Sequence, residues 1–532
     1  MRWLFLAILT LSFTFLNAQN KKFSFKLGSE YELPRRTEDL SFFGNSKDGI
    51  VNLSLKKEAL TIMRFNPKTL AQTSDMVIEL PEATRYFNSE EVIDFGNNCY
   101  WMHSDYNKSE GKEYLYYDKI NIAAGKIDES NKKLFETTKI SEYGSATGFY
   151  ESVRMKKYTF NFNADRNKVL ISYRLVPEFK SDKKNYDKIG LCVYDEKMNQ
   201  LWANEFVMPY TEAIMDNSDF SLDAQGNAYL LAKVYDSEKR NEKNKETGTP
   251  AYHFEIMKFM NGNKSIVSAT ISLDNYFINE SSLIESALHE MVIACTYSKK
   301  SKGTGTDGIF LATIDETGKV IKYKNGYYEF PIEELKKFES ARSIRKIEKK
   351  NDYEAPNINV RNVEILSDGS VFMACEENFI ETTYSTDSRG FTTRTTIYYY
   401  EDILAVKINA GGEFEWLRKI PKKQKGLRGR GTMGFKLISD SSGYYFLYLD
   451  NKKNMELETD EVPKYHMDGY GGQVVVSKLD NKGVLTKSLL FDTRDEEVKV
   501  FPALFHKINN NQFIGRAQHK KNVFSPLLIT VN

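Results

Sequence analysis

The chain has 532 residues and a formal net charge of +1, with 74 Lys and Arg against 73 Asp and Glu. Charges this closely balanced argue against a general nucleic-acid or membrane binder. Tyr and Phe are abundant, at 32 and 34 residues, as expected where β-sheets pack against one another.

The first eighteen residues predict a secretory signal peptide. Met1 and Arg2 precede an apolar run over residues 3–16, and Ala18 ends a small-residue cleavage site. The run is shorter than the roughly 20 residues of a membrane-spanning helix, and no later segment is long and apolar enough to span a bilayer. We therefore predict an exported protein, periplasmic or extracellular, with a signal peptide over 1–18 and one domain over 19–532.

Beyond about residue 30, one order of short strands recurs about eight times. In the unit over 218–273, the first and second strands (219–222 and 228–232) flank a polar turn, and the third and fourth strands (252–259 and 266–271) flank another. The strands are rich in Val, Ile, Tyr and Phe and mostly alternate with period two, which disfavours a helical repeat. The first strands of successive units lie near residues 40, 91, 157, 218, 283, 361, 433 and 502.

A repeat of this size and type predicts an all-β fold, a single β-propeller. We expect eight four-stranded blades, with seven as the alternative. The last unit, over 503–531, is one strand short, and residues 23–27 supply a spare strand. We therefore expect the N-terminal strand to pair with the C-terminal blade and close the ring.

One segment departs from the strand pattern. Pro331 suits the first position of a helix, and apolar residues then recur every three residues as far as Ile347. This spacing predicts one inserted helix near 331–350.

The lengths of the connections predict which face of the ring is functional. In a four-stranded blade, the connection between the second and third strands lies on the same face as the crossover to the next blade. Here those connections are long, as at 177–188, 376–396 and 451–472, whereas the turns on the opposite face are short. Insertions in surface loops lower the free energy of unfolding only slightly, so they can accumulate by drift. Long loops on one side of a rigid scaffold, however, usually carry function. We call this side the long-loop face.

The crossover over 418–430, here called the basic crossover, carries seven cations and no anion. Such a run suits phosphate, sulfate or uronate groups, or an acidic partner, although a solvated loop is its commoner origin. The candidate binding residues are Lys422, Lys423, Lys425, Arg428 and Arg430.

Residues 382–398 predict a protruding hairpin that turns at 388–390. Thr alternates there with aromatic residues, which offers hydroxyl groups and stacking surfaces to a sugar or a peptide. The alternative is a hairpin that only covers the mouth of the ring. The candidate binding residues are Tyr384, Arg389, Phe391 and Arg394.

The loop over 456–468 gathers four acids and a His between residues 458 and 468. Carboxylates suit Ca²⁺, but their spacing matches no EF-hand. We therefore predict no cofactor and no metal site, with Ca²⁺ as a lesser alternative. Pairing of this loop with the basic crossover is an equal alternative.

The sequence marks no catalytic set. Two G-x-G-x-x-G matches, at 303–308 and 429–434, lead into strands instead of helix N-termini, and there is no G-x-S-x-G elbow. The four cysteines, which fall in strands of different units, are expected to be buried free thiols, with a disulfide as the alternative.

The chain resembles the secreted β-propellers over nearly all of its mature sequence. The turns that lead to Trp202 and Trp416 are similar to the quinoprotein-like repeat, in which a Trp after the turn docks between blades. Because the Trp occurs in two units only, the resemblance implies blade packing and no quinone chemistry, and it identifies no specific functional family.

These features favour an exported binding or scaffold protein that holds a protein partner at the cell envelope with its long-loop face, and they lean against an enzyme. The alternative is an acidic-glycan-binding or glycan-degrading propeller, and a metal-dependent hydrolase ranks last. The expected partner is a protein or an anionic glycan, with no nucleic acid and no membrane span.

Overall fold

The computed structural model describes residues 23–532 except 58, 81–83, 142–156, 180–181, 262, 272, 301–304, 316–318, 351–352, 428–431, 468–470 and 510. The predicted signal peptide over 1–18 lies outside the described residues. Within them, almost every regular element is a β-strand.

The first half of the described chain forms four antiparallel sheets of four strands each, in chain order. Sheet 1 contains Glu38–Asn45, Gly49–Lys56, Ala59–Phe65 and Gln72–Glu79, and sheet 2 contains Asn88–Asp94, Cys99–Asn107, Lys112–Asn121 and Lys126–Thr138. Sheet 3 contains Tyr158–Phe162, Lys168–Arg174, Tyr186–Asp195 and Gln200–Thr211, and sheet 4 contains Met215–Leu222, Ala228–Tyr235, Tyr252–Phe259 and Ile266–Ile271.

The second half forms four further large sheets, two of which gain extra strands. Sheet 5 contains Phe277–Glu285, Met291–Ser298, Gly308–Ile314 and Val320–Glu329, and sheet 7 contains Lys436–Asp440, Gly443–Asp450, Gln473–Asp480 and Leu485–Asp492. Sheet 6 contains Ile358–Ile365, Val371–Thr386, Thr392–Ile408, Phe414–Ile420, Gln424–Gly426 and His466–Met467. Sheet 8 contains Phe23–Leu27, Tyr31–Glu32, Lys499–Val500, His506–Asn509, Gln512–Lys520 and Val523–Val531, and a small sheet pairs Gly305–Thr306 with Ala355–Pro356.

Position within a sheet decides how apolar a strand is. In sheet 5 every residue of the second strand, Met291–Ser298, is buried, because both of its faces meet neighbouring sheets. In sheet 1 the fourth strand, Gln72–Glu79, is mostly exposed and carries the polar sequence QTSDMVIE. The central strands of a sheet are therefore continuous apolar runs, and the fourth, outer strand is polar.

Eight clusters of buried apolar residues join the large sheets in the described part of the chain, and each cluster draws on two successive sheets. One of them joins sheet 8 back to sheet 1, where Phe524 and Leu528 pack with Phe42 and Phe65. Burying this apolar area between sheets is the main favourable contribution to the fold. The all-β propeller prediction is confirmed, and eight remains our predicted number of blades.

The two ends of the described chain meet in sheet 8. Phe23–Leu27 pairs antiparallel with Val523–Val531, with Phe23 opposite Val531 and Leu27 opposite Leu527. Beside this pairing, Arg516 of sheet 8 forms an ion pair with Asp39 of sheet 1.

Polar side chains also link the innermost strands of successive sheets. A register shift bends the first strand in sheets 1, 2, 4, 5 and 6, which is the effect of a β-bulge. Close to these shifts, Asp219 accepts a hydrogen bond from the Leu283 backbone N–H at 2.8 Å, and Glu280 accepts one from the Val360 N–H at 2.7 Å. Each carboxylate thus fixes the position of the next sheet.

The helix expected near 331–350 is divided into two short helices, α1 (Ile332–Leu335) and α2 (Ala341–Glu348). Phe338 between them has a φ of 62°, which an α-helix cannot contain. Its backbone N–H donates instead to the Thr459 carbonyl at 2.6 Å. Neither helix in the described part of the chain is long and apolar enough to cross a membrane.

Candidate functional site on the long-loop face

The long connections of sheets 5, 6 and 7 contact one another on one side of the ring. The crossover that contains α1 and α2 meets the loop of sheet 7 at the Phe338–Thr459 hydrogen bond, and that loop meets the basic crossover where the His466 N–H donates to the Lys423 carbonyl at 2.7 Å. Gln424–Gly426 and His466–Met467 pair there as parallel strands. The loop over 456–468 therefore contacts the basic crossover through backbone pairing. The ion pairs of Lys419, Lys422 and Lys423 are instead made with acids outside that loop.

Lys422 of the basic crossover lies inside the protein. Its side chain is 0 % exposed, and its Nζ lies 2.8 Å from Glu376 Oε1 and 3.1 Å from the Tyr400 carbonyl oxygen. The same Glu376 carboxylate also pairs with Arg361, whose Nε lies 3.1 Å from Oε2. A ligand on the surface does not meet the Lys422 ammonium group, because Glu376 already pairs with it in the core of sheet 6.

Lys423 and Lys425 are half-buried. The Lys423 ammonium group pairs with Glu401 at 3.1 Å, and the Lys425 ammonium group lies 4.7 Å from the centre of the Tyr465 ring. Burial lowers the pKa of Lys423, but Glu401 and Asp402 outweigh that effect and raise it above its usual value. Arg428 and Arg430 lie outside the described residues.

The predicted hairpin is present and protrudes from sheet 6. Val371–Thr386 and Thr392–Ile408 stay paired as far as Thr386 and Thr392, beyond the end of the neighbouring strands of the sheet. Tyr384 is 68 % exposed and Phe391 is 71 % exposed. Arg389 and Arg394 also lie on this hairpin, and both are exposed, Arg389 at the tip.

The base of the hairpin opens into a cavity of about 450 Å³ between sheet 6 and the two helices. Lys419 crosses its inner wall, where its Nζ lies 2.7 Å from Glu339 Oε1 and 3.1 Å from Asp402 Oδ2. Burial lowers the pKa of Lys419, but the two carboxylates outweigh it, so the pKa is raised and Lys419 stays charged. Glu401 accepts hydrogen bonds from Lys423 and from the Tyr465 hydroxyl group.

Glu377 lines the same cavity, but its carboxyl group forms no hydrogen bond or ion pair with any residue the structure describes. It is half-buried on the strand opposite Glu401 and Asp402. Burial raises its pKa to about 8, with Glu401 and Asp402 as the next largest causes, against the opposing effects of Lys419 and Lys423. At neutral pH this carboxyl group is therefore mostly protonated.

The sequence-based reasoning missed this cavity. The sequence feature that could have indicated the cavity is two pairs of adjacent acids, 376–377 and 401–402, which interrupt the apolar runs of central strands. Charged residues at such positions are costly unless they are paired or functional. The pairs lie 25 residues apart in the sequence, and only the register of sheet 6 brings them together.

Outside the cavity, the Glu285 carboxylate and the four cysteines have structural roles. Glu285 accepts backbone N–H bonds from Ala164 at 2.7 Å and from Ala224 at 2.6 Å, so one carboxylate holds the turns of sheets 3 and 4. The four cysteines are free and buried. Among the residues with described positions, no group of three or more His, Cys, Asp or Glu side chains is arranged to hold a metal ion.

Comparison with known proteins gives no family: no family model and no curated protein matches the chain. The β-propeller domain of the Trilobed protease from Pyrococcus furiosus is similar, with a TM-score of 0.34 at 11 % identity over 87 % of this chain and 98 % of that chain. An ulvan lyase, described as a polysaccharide lyase, gives a TM-score of 0.37 at 11 % identity over 82 % and 90 %. Prolyl oligopeptidase B from Galerina marginata gives 0.38 at 7 % identity over 93 % and 55 %. These TM-scores lie below 0.5, so the sheets and clusters described above carry the fold assignment.

Proposed function

We propose that this protein is an exported β-propeller that binds a protein partner at the cell envelope through its long-loop face. The observation that carries the proposal is the hairpin of sheet 6. It extends past the rest of the sheet and exposes Tyr384 and Phe391. Exposed aromatic residues on a rigid element are typical anchors of protein interfaces. The signal peptide predicted over 1–18 supports export.

The edges of the hairpin suggest how the partner docks. Pairing with Ile358–Ile365 ends at Glu377 on one side, and pairing with Gln424–Gly426 covers only Tyr398–Tyr400 on the other. The strand segments beyond these points present backbone N–H and C=O groups to solvent, which can pair with an extended segment of another protein. We therefore propose that the partner adds a strand to this hairpin and packs against its two aromatic rings.

The test compares two double variants of the tagged, exported protein. Tyr384→Ser with Phe391→Ser removes the proposed anchors, and Val77→Ser with Val207→Ser removes two exposed apolar side chains from the outer strands of sheets 1 and 3. After mild crosslinking in the envelope, we expect one dominant partner with the wild type and the control, and at least tenfold weaker binding of the purified partner to the hairpin variant. Equal binding to both variants would contradict the proposal.

The acidic-glycan alternative is a separate outcome of the same experiment. Lys422 and Lys423 are neutralised by Glu376 and Glu401, so its remaining support lies in Lys425, Arg428 and Arg430. If no protein is captured, and if salt-sensitive binding of an acidic polysaccharide is lost when these three residues are replaced by Ser, the glycan function replaces the protein-binding function.

A further inference from the structure

The cavity beneath α1 and α2 has an unbalanced inner wall. Four carboxyl groups lie there, from Glu339, Glu377, Glu401 and Asp402, with the two ammonium groups of Lys419 and Lys423. Glu354 and Lys300 also line the cavity, but they pair with each other at 3.9 Å. Both lysines are already paired, Lys419 with Glu339 and Asp402, and Lys423 with Glu401. Glu377 is left without a hydrogen-bond or ion-pair partner among the described residues, so the wall has room for one more positive charge.

Part of the cavity lining is apolar. Leu335, Ile347, Ile358 and Leu404 form this part, and all four are buried. A volume of about 450 Å³ lies within the usual range of small-molecule sites, about 300–1,000 Å³. An occupant that fits these walls has a short apolar body and one polar group directed at Glu377.

The charges decide the sign of that polar group. A carboxylate or phosphate at the inner end would lie among four acids, whereas a cation at Glu377 compensates their repulsion. Lys346 and Lys350 line the cavity on the exposed side of the helices. They disfavour a second ammonium group at the outer end, so the charges select a monoamine over a diamine.

We propose that this cavity is a binding site for a primary alkylamine, whose ammonium group pairs with the Glu377 carboxylate while its alkyl chain lies against α1, α2 and Leu404. This site is distinct from the hairpin anchors, so its test is independent of the proposed protein partner.

Binding is coupled to a proton. Besides Glu401, Asp402, Lys419 and Lys423, the charged and titratable groups at the cavity are Glu339, Lys346, Lys350, Lys300, Glu354 and Tyr353. The free carboxyl group of Glu377 has a pKa of about 8, and a bound ammonium group favours its ionised form. Near pH 7 the amine therefore displaces up to about one proton from Glu377. At pH values below the pKa of Glu377, the affinity for the amine increases by up to about tenfold for each unit by which the pH is raised.

The experiment uses the mature protein, with n-hexylamine as the probe and 1-hexanol as its neutral analogue. Isothermal titration at pH 6, 7 and 8, in two buffers that differ in ionisation enthalpy, measures both affinity and proton release. We expect hexylamine to bind with proton release and hexanol to bind at least tenfold more weakly. Equal binding of the two probes would overturn the proposal.

Three variants locate the site. Glu377→Gln should lower hexylamine affinity at least tenfold and abolish proton release, whereas Glu456→Gln, the same change at an exposed position of the same face, should preserve both. Ser343→Trp fills the cavity from α2 and should block binding while Glu377 remains in place. Hexylamine affinity that is unchanged in both the Glu377→Gln and Ser343→Trp proteins would rule the cavity out.

Discussion

Lys422 and Lys425 lie three residues apart in the basic crossover, but their surroundings differ. Lys422 is fully buried against Glu376, and Lys425 is half-buried beside Tyr465. Removing one partner of a buried ion pair leaves the other charge without compensation, at a cost of about 3–5 kcal/mol. Because Arg361 still pairs with Glu376, we expect Lys422→Met to lower the free energy of unfolding by about 3 kcal/mol, the low end of that range, and Lys425→Met by less than about 1 kcal/mol. Urea unfolding measures both, and equal losses would contradict the buried pair.

Glu377 gives a second prediction, on the pH dependence of stability. Its folded pKa of about 8 lies above the unfolded value of about 4.3, so the folded state holds more protons between these two pH values. Stability therefore falls as pH rises from about 4.5 to about 8. In Glu377→Gln this contribution is absent, so the free energy of unfolding of the variant relative to wild type should rise by up to about 4 kcal/mol between pH 5 and pH 9.

Thermal or urea unfolding at several pH values measures how the free energy of unfolding changes with pH. Glu456→Gln serves as the matched control, because its side chain is exposed and its replacement should leave the slope unchanged. A Glu377→Gln curve parallel to that of the wild type would show that the carboxyl group has an ordinary pKa.

At the residue scale, the sequence predicted where charged residues lie better than it predicted what they do. It selected Lys422, Lys423 and Lys425 for their charge density, and of these Lys423 lines the cavity. It could not show that Glu376 and Glu401 neutralise Lys422 and Lys423, because the pairing depends on a register shift between Glu376 and Asn378. Cation density along a chain predicts an anionic partner, and here much of that partner is the protein itself.

At the scale of elements, the Trp of the quinoprotein-like turns docks on the next sheet. Trp202 donates from Nε1 to the Gly226 carbonyl at 2.7 Å, and Trp416 donates to the Asn481 carbonyl at 3.3 Å. Gly483 follows in that second turn, with a φ of 76°, and a Cβ added there would lie 2.9 Å from the Trp416 ring.

This contact predicts unequal costs for two glycine substitutions. Gly96 has a similar φ of 85°, but nothing lies within 4 Å of an added Cβ. Gly96→Ala should therefore cost about 1 kcal/mol, from backbone strain alone. Gly483→Ala should cost a further 1–3 kcal/mol or so, because the ring must move. Chemical unfolding of the two variants gives the difference, and equal losses would mean that Trp416 does not dock there.

The predicted helix is divided because a distant contact overrides the local sequence pattern. Apolar residues recur at helical spacing from Ile332 to Ile347, and that periodicity predicts a continuous helix. The chain breaks at Phe338 because its N–H bonds to Thr459, which is more than a hundred residues away. Local periodicity contains no information about such a partner.

At the scale of the whole molecule, the repeat made the fold predictable. Strand order, turn residues and period-two alternation are local properties, and each unit repeats them. A strand assigned wrongly in one unit is therefore corrected by comparison with the other units. The cavity could not be predicted in this way, because it forms where the connections of sheet 5 and the crossover that contains α1 and α2 meet sheet 6. Regularity thus makes the scaffold readable from sequence, whereas the site depends on its exceptions.

The pairing that joins the chain ends can be tested with a cross-link. Ser24 lies opposite Thr530 in the register of sheet 8, and directly opposite residues of antiparallel strands are close enough for a disulfide. We expect oxidised Ser24→Cys/Thr530→Cys protein to be about 2–4 kcal/mol more stable than its reduced form. Mass spectrometry confirms the bond, and thermal unfolding with and without reductant measures its effect. A bond that forms without stabilisation would mean that this strand pair opens before the rest of the ring.

The same pairing places a constraint on synthesis. Phe23–Leu27 leaves the ribosome roughly 500 residues before its partner Val523–Val531, a wait of about 25–100 s at roughly 5–20 residues per second. During that time sheet 8 is incomplete, and the edges that it will later cover in the ring remain available to other strands. The chain is therefore open to misassembly until the last strand emerges and pairs, and a chaperone that covers these edges is needed for that whole period.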